Sequence, residues 1–282
     1  MLFMHLTFFA FFIICGIAEI DQSPCYTKST ELERETMLKL IGSLEPGRPT
    51  VLFLAGSITS PCVFDQVESD GVFQFAAVDY CRSEGPWDVD TLGGRVLSLM
   101  EEKQLGPTIL AGYSAGGVIA MSAACQGPDR IAGMLLSNTG PCGKGHGDPS
   151  FPQKLLDNWD NPAFLDSFLA RCFSRPIPPL LRQRLLDYIG TLDPQSGYQV
   201  STSLRQVDYR EGLRQVRFPV VIAHGKDDKT RTLAHVEMMT TSMPHAEVFL
   251  LDGGHTIMVE NKPQWQEALN HLMCRVRAIY PK

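Results

Sequence analysis

Three side chains in this sequence have the types and the chain order that acyl transfer needs. Ser114 stands in Gly112-Tyr113-Ser114-Ala115-Gly116-Gly117, between the apolar run Ile109-Leu110-Ala111 and a helical pattern beginning at Val118. A serine at so tight a turn from strand to helix projects outward, and glycines two positions to either side leave room for the bend. Its hydroxyl is a weak nucleophile at neutral pH, so it needs an imidazole base that a carboxylate holds in the right tautomer. His255 follows Leu250-Leu251-Asp252-Gly253-Gly254 and is the candidate base. The orienting acid is sought in Ala223-His224-Gly225-Lys226-Asp227-Asp228, where two adjacent carboxylates follow a strand-like run. Adjacent side chains point in different directions, so one of the two can face the imidazole. Aspartates beside glycine are commonly turn formers; here serine, acid and histidine each fall at the end of a separate apolar run.

Stabilising the oxyanion of acyl transfer takes two convergent backbone N–H groups. Ala115, at a helix N-terminus whose dipole favours negative charge, supplies one. The second is assigned to Ser57 in the turn Ala55-Gly56-Ser57-Ile58, with Ile58 the alternative. The remaining histidines read otherwise: His224 as a structural residue at a strand end, His5, His235, His245 and His271 as leader or helix-surface residues, and His146 as a solvated loop residue.

The elements that must position these groups are legible as runs. Val51–Ala55, Phe75–Val78, Thr108–Ala111, Met134–Leu136, Pro219–Ala223 and Glu247–Leu251 are continuously apolar over strand length, as strands buried on both faces are. Helical patterns separate them at Thr91–Lys103, Val118–Cys125, Arg231–Met243 and Pro263–Ile279. Alternation of this kind predicts an α/β fold with a doubly wound, mostly parallel sheet of six strands. Between Pro149 and Phe218 the period is helical throughout (Phe164, Leu165, Phe168, Leu169; Leu181, Leu185, Leu186, Ile189), which predicts an all-helical lid over the carboxyl ends of the strands. Trp159, Phe164, Phe168 and Phe173 suggest an apolar pocket there, although aromatics at this spacing also serve packing. A capping box at Thr30-Glu31-Leu32-Glu33 ahead of Met37, Leu38, Ile41 and Leu44 predicts a helix from about Thr30 to Ser43. The resulting division is 1–18, an apolar leader; 19–49, an N-terminal helical segment; 50–148, the first part of the core; 149–217, the lid; and 218–282, the second part of the core.

Composition narrows the function further. The 282-residue chain has a formal charge of −6, and its Lys and Arg do not cluster in sequence, which argues against nucleic acid as a partner. Residues 1–18 contain no Lys, Arg, Asp or Glu and end in Gly16-Ile17-Ala18. An export signal is the reading these flanks favour over a cytoplasmic chain, with a retained membrane anchor or a misplaced start as alternatives. Beyond Cys15, seven cysteines remain with no C-x-x-C pair. Cys125 and Cys274 read as buried free thiols, and a disulfide involving Cys25 stays open. No zinc-ligand spacing is present and the chemistry calls for no metal or organic cofactor.

These residues resemble the α/β-hydrolase family, in its lid-bearing single-domain members. Gly112 to Gly117 matches the elbow, Gly225 to Asp228 the G-x-x-D acid turn, and Gly254-His255 the histidine loop. The resemblance covers roughly Thr50 to Met273 and, by its spacing, implies Asp228 rather than Asp227 as the acid. Leu136-Ser137-Asn138-Thr139 and Asp208-Tyr209-Arg210 are similar to enol-lactone hydrolases of aromatic degradation and to related carboxylesterases. Three departures stand out. Ala55 takes the place of the family's histidine after the first central strand. The antiparallel hairpin that usually precedes that strand has no counterpart before Thr50, implying a shorter sheet. Ser114 sets the chain apart from the dehalogenase branch, whose nucleophile is Asp. What the resemblance implies is a serine hydrolase of a small carboxylic ester or lactone, touching a membrane only if residues 1–18 are retained. The rivals are hydrolysis of an amide, thioester or carbon–carbon bond, and a slow-turnover ligand receptor on the same fold.

Overall fold

The computed structural model describes residues 38–145 and 147–281. The leader, Cys25, His146 and the expected helix as far as residue 37 lie outside them. Seven strands form one sheet: β1 (Lys39–Ile41), β2 (Thr50–Leu54), β3 (Gln74–Asp79), β4 (Thr108–Tyr113), β5 (Gly133–Ser137), β6 (Val220–Gly225) and β7 (Glu247–Leu251). Their order is β1-β3-β2-β4-β5-β6-β7, with β1 antiparallel to β3 and every other pair parallel. Every residue of β2, β4, β5 and β6 is buried, which is why each is a continuous apolar run. Each Val, Leu or Ile enclosed in this way contributes about 1.5–3 kcal/mol of transfer free energy.

Two expectations about the sheet change. The helix predicted across residues 38–43 is a strand there: Lys39, Leu40 and Ile41 pair with Asp79, Val78 and Ala77. Helical packing would turn Ile41 inward, yet Ile41 is 50% exposed, and Gly42 at φ +109° ends the run. The sheet is one strand longer than expected, and β1 covers the edge that β3 would otherwise present to solvent. At the opposite edge β7 is not enclosed on both faces. Val248 and Leu250 are 40% and 45% exposed, and burial alternates along the strand because one face alone packs inward.

Helices α1 (Val89–Glu102) and α2 (Ala115–Gln126) follow β3 and β4. Asp88 caps α1 by accepting from the Thr91 N–H. The residues of α2 from Ala115 to Ala124 are all buried, so small side chains are needed for it to pass between β2 and α1. The tightest approach is at Gly116, where a Cβ would stand 2.0 Å from Leu54 O and 2.5 Å from Ala55 O, both backbone atoms. Gly116→Ala is therefore expected to lower unfolding free energy by about 3 kcal/mol or more. A denaturant midpoint equal to that of the unsubstituted protein would contradict this packing.

Among the described residues between β5 and β6 there are four α-helices, α3 (Phe151–Asp157), α4 (Pro162–Arg171), α5 (Pro179–Ile189) and α6 (Pro194–Ser203), and a 3-10 turn at Gly212–Gln215, but no strand. Asn161 and Asp193 cap α4 and α6 by accepting backbone N–H bonds. Trp159, 7% exposed, packs beside Gly197 of α6, so its ring belongs to this helical unit's own core. The chain closes with α7 (Leu233–Ser242), α8 (Ile257–Glu260) and α9 (Lys262–Ile279). Buried Trp265 on α9 donates from Nε1 to Ser137 Oγ at 2.8 Å, tying this helix to the end of β5. The six described cysteines are all unpaired; Cys125 is half-buried as a small hydrophobe would be, whereas Cys274 is exposed on α9 rather than buried.

Candidate active site

The sharp turn from β4 into α2 sets the position of Ser114. Its backbone lies at φ 52°, ψ −117°, a combination that costs an ordinary residue on the order of 1–3 kcal/mol and persists only where its surroundings hold it. Those surroundings are visible. The Ser114 N–H donates to Ser137 O at 3.0 Å, and Thr139 Oγ1 donates to Ser114 O at 2.7 Å. A Cβ on Gly112 would meet Gly117 Cα at 2.5 Å, so the two ends of the turn touch across it.

His255, 3% exposed, stands with Nε2 3.0 Å from Ser114 Oγ and Nδ1 2.7 Å from Asp228 Oδ2. Nδ1 can bond to that carboxylate only as a donor, which leaves Nε2 as the acceptor for the serine proton. The ring packs against Tyr113, with centroids 5.2 Å apart. Tyr113 is held in turn: its hydroxyl bonds Thr256 Oγ1 at 3.1 Å, and Thr256 Oγ1 donates to Cys172 O at 2.7 Å.

Of the two candidate acids, Asp228 faces the imidazole. Asp227 is exposed and uses its backbone N–H to bond Gly253 O at 2.9 Å. The Asp228 carboxylate is saturated with donors. Oδ1 accepts from the N–H groups of Thr230 (2.7 Å) and Arg231 (2.9 Å), and Oδ2 accepts from Asn138 Nδ2 (2.8 Å) as well as from His255. Burial alone would push its pKa up, but the hydrogen bonds and charge of His255, with those of Arg231 N–H and Asn138, bring it below the ordinary carboxylate value.

Asn138 belongs to this cluster too, a role that the resemblance of Leu136-Ser137-Asn138-Thr139 did not assign to it. It is fully buried at φ +48°, a left-handed conformation that Asn tolerates, and Nδ2 also reaches Gly254 O at 3.2 Å. One amide thus holds the acid loop and the histidine loop together. His235 also differs from its surface assignment: it is 5% exposed on α7 and lines the cavity that contains Ser114. His224 is buried, and burial lowers its pKa, which fits a structural role.

At the oxyanion position, Ala115 begins α2, where backbone N–H groups have no intrahelical acceptor. Ser57 lines the cavity with Ser114. The alternative, Ile58, directs its N–H to the Cys81 sulfur, and its side chain is fully buried. The loop that lacks the expected histidine at Ala55 is held by other means: Tyr80 Oη donates to Ala55 O at 3.0 Å, and Thr59 N–H donates to Gly56 O at 3.1 Å.

The cavity over these groups has a volume of about 480 Å³, and residues of the helices between β5 and β6 form much of its wall. Of the aromatics singled out in sequence, Phe168 alone lines it, joined by Phe151, with which it stacks at 5.8 Å between centroids. Among the described residues no three His, Cys, Asp or Glu side chains converge as a metal-binding group.

The chain is 28% identical over 252 residues to the AB hydrolase superfamily protein YisY of Bacillus subtilis, covering 81% of this chain and 91% of that one. It is 21% identical over 204 residues to 3-oxoadipate enol-lactonase 2 of Acinetobacter baylyi, covering 68% and 73%. Among solved structures, an esterase from Exiguobacterium antarcticum superposes with a TM-score of 0.74 at 20% identity, over 84% of this chain and 94% of that one. The enol-lactonase from Burkholderia xenovorans does so with a TM-score of 0.74 at 19% identity, over 84% and 95%. The family's sequence pattern matches residues 51–268, a span that contains Ser114, Asp228, His255 and all of the parallel sheet but Thr50. With the strand order, the elbow at Ser114 and that match in agreement, the chain belongs to the alpha/beta hydrolase family.

Proposed function

We propose that this hydrolase cleaves a carboxylic ester or lactone through an acyl-enzyme on Ser114. One observation carries the proposal: the unbroken hydrogen-bonded relay from Ser114 Oγ to His255 at 3.0 Å and from His255 to Asp228 at 2.7 Å, opening on a cavity. In the acylation step His255 Nε2 takes the proton from Ser114 Oγ as that oxygen bonds to the substrate carbonyl carbon. Asp228 keeps Nδ1 as the donor and stabilises the imidazolium that results. The N–H groups of Ala115 and Ser57 receive the developing oxyanion. His255 then returns the proton to the leaving alcohol oxygen. Water, deprotonated by the same imidazole, attacks the acyl carbon; the bond from that carbon to Ser114 Oγ breaks, the imidazolium gives its proton to Oγ, and the carboxylic acid is released. The helical segment 149–217 acts as the lid that shapes the cavity. Ester or lactone is favoured over amide because the comparable proteins include esterases and enol-lactonases.

A panel of nitrophenyl esters and small lactones tests this reading. The expected result is a stoichiometric burst of nitrophenol followed by steady turnover. Folded protein that hydrolyses neither an ester nor a lactone would count against it.

A further inference from the structure

The cavity at Ser114 is basic, although the chain as a whole has a formal charge of −6. Arg171, Arg205, Lys229 and Arg231 all line it together with Ser114 and His255. None of these four cations forms an ion pair with a carboxylate among the described residues. Arginines elsewhere do, including Arg182 with Asp166, Arg184 with Asp65 and Arg210 with Asp208. The one carboxylate lining the cavity, Asp148, is already engaged by Lys154 at 2.8 Å and by Ser150. Asp228, beneath the floor, has both oxygens filled by His255, Asn138 and two backbone N–H groups.

Neither half-buried arginine has a carboxylate within ion-pair distance, although Asp148 favours the charge of Arg205 and Asp228 that of Arg231. Arg205 donates from Nε to Asp148 O at 3.1 Å and from a terminal nitrogen to Ser201 O at 2.6 Å, and its guanidinium lies 5.4 Å from the centre of the Phe151 ring. Arg231 is fixed through its backbone, whose N–H bonds Asp228 Oδ1. Carbonyls and rings orient a guanidinium but do not neutralise it. Burial disfavours the Arg231 charge, Asp228 favours it, and Arg205, which lines the same cavity, disfavours it by less. Two like charges lining one cavity repel each other, and an anion bound between them relieves this. Paired guanidinium forks match the two oxygens of a carboxylate in geometry as well as charge. Arg171, 5.9 Å from the centres of the Phe151 and Phe168 rings, and exposed Lys229 continue the field into a neighbouring cleft of about 670 Å³, where Arg175 adds a cation and Asp227 an exposed carboxylate.

We infer that the substrate of this site is an anionic ester, one bearing a carboxylate that Arg205 and Arg231 bind while Ser114 attacks the ester carbonyl. The inference rests on the serine-hydrolase reading above, and the cavity's size suits a small molecule rather than a long acyl chain.

Two measurements test it. The first compares matched esters: 4-nitrophenyl hydrogen glutarate against 4-nitrophenyl pentanoate, which puts the carboxylate on the acyl side, and 4-acetoxybenzoate against its methyl ester, which puts it on the alcohol side. In at least one pair the anionic member is expected to have the higher kcat/KM through a lower KM. The advantage should shrink in about 0.5 M salt. In the double variant Arg205→Gln, Arg231→Gln the ratio of anionic to neutral kcat/KM should fall about 30-fold, the scale of losing hydrogen bonds to a charged group. Arg214→Gln, in an ion pair with Glu211 outside the cavity, should leave the ratio unchanged. Equal or better use of the neutral ester in both pairs, or a ratio unmoved in the double variant, overturns the inference while leaving the hydrolase reading intact. The second measurement needs no turnover: calorimetric binding of glutarate and of glutaramide to Ser114→Ala. Glutarate should bind at least tenfold more tightly, and the preference should vanish when both arginines are also replaced. Equal affinity, or no binding of either, overturns the inference even if no ester is ever turned over.

Discussion

Ser114→Ala is expected to lower kcat/KM on any accepted ester by about 100,000-fold, the scale on which loss of a serine nucleophile acts, while leaving the fold intact. Alanine removes one oxygen and one hydrogen bond, that to His255 Nε2. The features that hold the elbow are retained, because they belong to the backbone and to neighbours: Ser114 N–H to Ser137 O, Thr139 Oγ1 to Ser114 O, and the contact of Gly112 with Gly117. Residual catalysis would come from the Ala115 and Ser57 N–H groups and from substrate binding alone. The measurement is steady-state turnover alongside a thermal melt. An unchanged melting temperature with activity near the detection limit is the expected pair. A loss of less than about tenfold would remove Ser114 from the reaction.

Asp228→Asn is expected to cost about 10,000-fold in kcat, through the tautomer of His255 rather than through lost contacts. The geometry leaves the amide one good orientation. Oδ1 must stay an acceptor, because the N–H groups of Thr230 and Arg231 both point at it. The NH2 group then takes the place of Oδ2, where it confronts two donors, Asn138 Nδ2 and His255 Nδ1. The imidazole relieves that clash by moving its proton to Nε2, which makes Nε2 a donor and unable to accept from Ser114. Activity of this variant is expected to return in part at high pH, where deprotonating the serine no longer depends on the imidazole. A pH–rate profile of the variant parallel to that of the unsubstituted protein would mean that Asp228 does not set the tautomer.

The relay was legible in the sequence because each member follows an apolar run of strand length. Ile109 to Ala111, Pro219 to Ala223 and Val248 to Leu251 could be recognised as strands, and a parallel sheet places their carboxyl ends on one edge. The choice of Asp228 over Asp227 needed the family spacing, since nothing local to two adjacent aspartates says which one turns inward. Strand β1 was illegible for a physical reason. Leu38, Leu40 and Ile41 are too few to distinguish a helical period from a strand, and the pairing with Ala77 to Asp79 that decides it is remote in sequence. Asn138 stood in a stretch similar to enol-lactone hydrolases, but nothing in that stretch marked what its side chain does. Its role depends on loops near residues 228 and 254 meeting at the end of β5, which only the folded sheet brings about. The basic lining was hidden in the same way. Arg171 ends α4, Arg205 follows α6, and Lys229 and Arg231 follow β6, so charges scattered along the chain converge only when the helical segment lies across the strand ends.

The most direct test of the central claim is reaction with a fluorophosphonate probe followed by peptide mapping. An activated serine attacks the phosphorus and displaces fluoride, leaving one covalent adduct, and this happens whatever the natural substrate is. A single modified residue is expected, Ser114, in the peptide that contains Gly112 to Gly117, with no adduct on Ser114→Ala and a much slower one on Asp228→Asn. Folded protein that takes up no probe, or that carries it on a serine other than Ser114, would mean that Ser114 is not an activated nucleophile.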